Sequence, residues 1–135
     1  MLWKSFVGVL VVLNAVMALA DDPKVIKPEE AAANVDREVI VEYTVKSSRI
    51  MDDKNIGFLN SEEDNKNEKN FTAFITPKGM KAYKDDRQIA NPGAEYIDKK
   101  IRVKGKIVLH KSKPEIKVDS PEQIEVVEEE PAKTE

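Results

Sequence analysis

Apolar and polar residues alternate along most of this chain, and a period of two predicts strands with one buried face. From Glu38 to Ile50, Val39, Val41, Tyr43 and Val45 share one face; Glu42, Thr44 and Lys46 take the other, with Ile40 as the exception. Asp52 to Asn55 reads as a turn, and Ile56 to Asn60 as a short second strand containing Gly57. After a polar loop over 61–69, Asn70 to Thr76 forms a third strand, with Phe71, Ala73 and Ile75 on the core side and Phe74 opposite. The clearest strand is Lys100 to His110: Ile101, Val103, Gly105, Ile107 and Leu109 alternate with Arg102, Lys104, Lys106, Val108 and His110. Lys111 to Lys113 turns the chain, and Pro114 to Val118 returns with Ile116 and Val118 inward. Ile124 to Val127 is a last extended segment.

Helix signals lie between these strands. Pro28-Glu29-Glu30 followed by three alanines predicts a short helix, with proline in the first turn and carboxylates near the positive end of its dipole. Lys78 to Ile89 predicts a second helix that turns Met80 and Tyr83 inward, three residues apart. Asn91-Pro92-Gly93 marks a turn, and Ser120-Pro121-Glu122-Gln123 has the cap, proline and glutamine of a single helical turn. Three strands, a helix and two more strands make the element order of an OB fold. The expected class is therefore all-β: a five-stranded OB-fold barrel, with a helix between strands 3 and 4 and a short N-terminal helix. An open α+β sheet is the alternative.

The first 20 residues follow a different pattern. Lys4 precedes an apolar run to Met17 broken by Ser5, Gly8 and Asn14, and Ala18-Leu19-Ala20 precedes Asp21-Asp22. A short basic start, an apolar run and a small-x-small site are the parts of a cleavable signal peptide. The apolar run, about 15 residues, is shorter than the roughly 20 needed to span a bilayer. The expectation is an exported chain, periplasmic or secreted, with no stable membrane anchor after cleavage. Residues 21–27 are expected to be a linker, 28–127 the folded domain and 128–135 a disordered acidic tail. The chain has no cysteine, so neither disulfides nor thiolate chemistry enter, and packing alone must hold the domain.

Several short stretches, taken in order, resemble a family of small bacterial exported OB-fold domains described as nucleic-acid-binding or tRNA anticodon-binding-like. They are Gly57-Phe58-Leu59-Asn60, Asn70-Phe71-Thr72-Ala73-Phe74-Ile75, Lys100 through Ile107, Lys113-Pro114-Glu115-Ile116-Lys117-Val118 and Ser120-Pro121-Glu122-Gln123-Ile124. Lys99 and Ser112 stand where that pattern has glycine. The resemblance covers about residues 28–127 and implies an OB fold that binds rather than catalyses. Fold by itself does not assign function.

Charge is segregated along the chain. Residues 99–117 hold eight basic residues and one acidic residue, Glu115, whereas 119–135 hold seven acidic residues and one basic. The alternation puts Arg102, Lys104, Lys106 and His110 on one side of their strand, with Lys117 next door and Lys111 and Lys113 at the turn. Such a basic stripe suits a phosphate backbone, but it equally suits a solvated outer face where lysine discourages edge pairing. Single-strand binders add stacking aromatics; Phe58 and Phe74 are the candidates, flanked by Lys46 and Arg49. Aromatics make up only 6% of the chain, so such a platform is sparse. A lone histidine and an acidic loop without calcium-loop spacing predict no metal site, and no cofactor or catalysis is expected. Asn70-Phe71-Thr72 matches a glycosylation sequon but falls in a predicted strand. Two functions remain open: binding single-stranded nucleic acid or another polyanion, or a non-catalytic module for a protein partner or envelope polymer.

Overall fold

The structure, a computed structural model, describes residues 23–128. The expected signal peptide and the tail beyond Glu128 lie outside the described residues. Eight strands form a mostly antiparallel mixed sheet. They are β1 (Lys24–Ile26), β2 (Glu38–Thr44), β3 (Ser47–Met51), β4 (Ile56–Asn60), β5 (Thr72–Ile75), β6 (Lys100–His110), β7 (Lys113–Val118) and β8 (Ile124–Val126). Between β5 and β6 lie α1 (Pro77–Arg87) and the shorter α2 (Pro92–Tyr96). The hydrogen-bonded path runs β1-β2-β6-β7-β5-β4-β3, with β8 added beside β6.

This architecture keeps the β-rich class and corrects the five-stranded closed barrel. The ladder is open, and three additions bring the expected five strands to eight, the first being the terminal extended segment, which pairs with β6 as β8. The expected first strand breaks at Val45-Lys46, where the backbone changes partners. Asp98 N–H donates to Val45 O, Val45 N–H to Lys99 O and Lys46 N–H to Asn60 O. Alternation does not reveal this corner, because Val45 stays buried through it. In addition, Lys24–Ile26, expected in a linker, pairs in parallel with β2 and buries Ile26. The N-terminal helix signal becomes a 3-10 helix over Pro28–Asn34.

Most of the expected inward residues make the core. Val41, Val45, Ile101, Val103, Ile107, Ile116 and Val118 are completely buried. Leu109 is the exception at 54% exposed, because β6 runs past the core into its hairpin with β7. Thr76 caps α1 by accepting from Gly79 N–H at 3.1 Å. Met80 and Tyr83 turn inward as expected, and Tyr83 meets Tyr96 of α2 hydroxyl to hydroxyl at 3.0 Å. The Asn91-Pro92 turn is the start of α2: Ala94 N–H donates to the Asn91 side chain at 2.9 Å.

β6 positions the candidate site, because it belongs to two neighbourhoods. Its first half pairs with β2 on one side and β8 on the other; its last residues pair with β7. Gln123 joins the two where they diverge, donating from Nε2 to Lys104 O and Lys117 O, both at 2.9 Å. Gly105 sits at this point because a Cβ there would come within 2.5 Å of Ile116 Cγ2.

Candidate nucleic-acid interface

The basic stripe expected on one face is divided between the two neighbourhoods. On the outer face of β2, β6 and β8, each cation has its own cross-strand environment. Arg102 lies opposite Glu42 on one side and Glu125 on the other. Its Nε donates to Glu42 Oε1 at 2.8 Å. Lys106 lies opposite Glu38, and Lys104 opposite Ile40. In this half of the stripe Arg102 is ion-paired, and Lys106 has an acid directly across from it.

The other outer face is built differently. Register across β3, β4, β5 and β7 aligns Arg49 with Phe58, Phe58 with Phe74, and Phe74 with Lys117. The result is one lateral row: cation, ring, ring, cation. The rings are half-buried, with centroids 5.4 Å apart and planes tilted by 47°. Arg49 and Lys117 are exposed at the ends. All four residues are candidates from the sequence, and the fold brings them together from four strands.

The next row on this face is Ser47, Asn60, Thr72, Glu115 and Val108. The loop over 61–69 arches beside it and is tied to the β6–β7 hairpin, where Lys113 Nζ donates to Asn65 O at 2.9 Å. Between loop and hairpin is a hollow of about 490 Å³, bordered by Phe58, Lys66, Thr72, His110, Lys111 and Glu115 among others. His110, Lys111 and Lys113 therefore sit at the mouth of this hollow, apart from Arg102, Lys104 and Lys106. Lys46 belongs elsewhere: it lines a second hollow of about 380 Å³, with Lys69 and Lys100 facing Glu29, Glu42 and Glu62.

Three residues of the floor had no assigned role in the sequence reading. Asn60, Asn70 and Thr72 form a hydrogen-bonded knot. Asn70 Nδ2 donates to Asn60 Oδ1 (3.3 Å) and Thr72 Oγ1 (3.0 Å), and Thr72 Oγ1 donates to Asn60 Oδ1 (2.8 Å). Asn70 Oδ1 also accepts from Glu62 N–H at 3.0 Å, which fixes the start of the loop. The Asn-Phe-Thr sequence thus serves as a loop anchor, and Asn70 is only 3% exposed. The fourth omission is Glu115, only 8% exposed. Burial raises its carboxyl above the ordinary value of 4.5, while His110 and Lys117 pull it down. Its one signal in the sequence was its solitude, as the single acid in the basic run.

No protein-family model matches the chain, and no curated protein matches it. Among solved structures, it is similar to an aspartyl-tRNA synthetase from Leishmania major Friedlin, with a TM-score of 0.51 and 14% sequence identity over 88% of this chain. The match spans only 23% of that synthetase. At this identity the likeness concerns the fold.

Proposed function

We propose that this chain is an exported, non-catalytic binding module of OB type that holds single-stranded nucleic acid, or a similar extended polyanion, across the outer face of β3, β4, β5 and β7. The observation that carries this reading is the Arg49–Phe58–Phe74–Lys117 row. Stacking of a base on an aromatic ring contributes about 1–3 kcal/mol without regard to sequence, and the flanking cations are placed for phosphates. Lys111 and Lys113 at the hairpin extend the path. Likeness to part of a tRNA synthetase supports an OB-type fold. The overall negative charge does not oppose the reading, because charge acts locally within a Debye length of about 8 Å at physiological salt. The leader pattern over residues 1–20 supports export; N-terminal sequencing of exported protein should begin at Asp21, and a start at Met1 would overturn that part.

Titration of a fluorescent thymidine dodecamer across a salt series tests the binding reading. Affinity should fall with salt at a log–log slope of about −0.7 per phosphate contacted. Absence of binding at low salt removes this reading. One feature favours a protein partner instead: among the described residues the outer strands β1 and β8 each pair with a single neighbour, which leaves a backbone edge that a strand-adding peptide can use.

A further inference from the structure

We propose that the hollow beside Phe58 selects guanine, with the Glu115 carboxylate accepting the two adjacent N–H groups of the base edge. This inference rests on the single-strand reading above and adds a base preference to it.

Two independent features meet in the hollow. The first is an unmatched acceptor. Among the described residues, the Glu115 carboxylate accepts no hydrogen bond, although the residue lines the hollow and is only 8% exposed. Its polar neighbours do not need it: Asn60, Asn70 and Thr72 satisfy one another, and Asn60 Nδ2 donates outward to Ser47 Oγ at 3.3 Å. A buried carboxylate that accepts no hydrogen bond is uncommon, and the attraction of His110 and Lys117 does not fill its acceptor sites. The second feature is the wall. Phe58 offers a half-buried ring, while Lys66, Lys111, Lys113 and His110 surround the mouth.

Together these features define the ligand. A carboxylate with two free oxygens takes paired donors side by side, such as a guanidinium or the N1–H and N2–H of guanine. The basic mouth repels a guanidinium and admits a neutral base whose phosphates lie against the lysines. Among the common bases only guanine offers two adjacent donors on its pairing edge. Adenine and cytosine set one amine beside an acceptor, and thymine or uracil flanks one N–H with two carbonyls that a carboxylate repels. In a single strand that edge is free to be read.

The test compares dodecamers of alternating thymidine and deoxyguanosine, alternating thymidine and deoxyinosine, and thymidine alone, in low-salt lithium buffer that keeps guanine strands unpaired. Inosine keeps N1–H and lacks the N2 amine. The guanine strand should bind about ten-fold more tightly than the inosine strand, the discrimination of a good bidentate contact. In Glu115→Gln that difference should vanish, while thymidine binding stays equal or tightens as a negative charge leaves the groove. Equal affinity for guanine and inosine strands, with salt-sensitive thymidine binding intact, overturns the guanine pocket and leaves the single-strand reading standing. A guanine preference that survives Glu115→Gln also overturns it. Failure to bind any strand removes both. The inosine comparison uses the unaltered protein, so the test does not depend on the variant folding.

Discussion

The two outer faces that meet at β6 and β7 both carry exposed cations and differ in what lies across the strand from them. Over β2, β6 and β8, Arg102 is held by Glu42, and Lys106 faces Glu38. Over β3, β4, β5 and β7, Arg49 and Lys117 flank two phenylalanines, with no acid in their row. The difference does not lie in the basic residues. It lies in their cross-strand neighbours; the acid that holds Arg102, Glu42, comes from 60 positions away in the chain. A lysine-rich strand is thus a wall or a groove according to what its partner strand presents, since pairs directly across a sheet interact most strongly.

The largest expected effect comes from removing the rings. Phe58→Leu with Phe74→Leu keeps the apolar volume but loses the stacking faces. Affinity for a thymidine dodecamer should fall about ten-fold per ring, while Arg102→Ala with Lys104→Ala should leave it nearly unchanged. Equal losses from both pairs, measured by fluorescence titration, would erase the distinction between the faces.

Gly105→Val strikes the point where β6 passes from one neighbourhood to the other. The new side chain would meet Ile116, which is fully buried, so overpacking should cost about 1–3 kcal/mol. That lowers the melting temperature by roughly 4–8 °C per kcal/mol for a domain of this size. An unchanged melting curve would mean that β6 and β7 do not approach as closely as described.

The cations provide a sharper comparison. Arg49→Ala and Lys117→Ala should each flatten the salt slope of oligonucleotide binding by about 0.7. Arg102→Ala should leave the slope alone and cost stability instead. Its pair with Glu42 is 42% and 27% exposed at the two side chains, so the loss should stay below about 1 kcal/mol in denaturant unfolding. A flattened slope in Arg102→Ala would place the groove on the wrong face.

The smallest effect is at the hairpin beside the hollow. Lys111 and Ser112 both have positive φ, 52° and 70°, as the two central residues of a type I′ turn require. Ser112→Gly relieves one of them and should raise stability by a few tenths to about 1 kcal/mol. This explains the departure from glycine noted in the sequence: serine is tolerated there at a small cost. Lys99 needs no such relief, since the left-handed residue is its neighbour Asp98, at φ 67°.

By itself the sequence determined which residues turn inward and where most strands and α1 lie. Alternation is a local property, and burial rewards it wherever a sheet has one covered face. It also named the rings and cations of the row, from residue type and side. It did not determine the corner at Val45-Lys46, the strand at Lys24–Ile26, or the division of the basic stripe. Those depend on which strand lies beside which, and no local period records that. The tertiary structure alone decided that Arg102 is paired, that Arg49 and Lys117 bracket Phe58 and Phe74, and that Glu115 lies buried in the floor of a basic-rimmed hollow. Cross-strand neighbours and desolvation are made by contacts distant in the chain, and those contacts set the charge of each face.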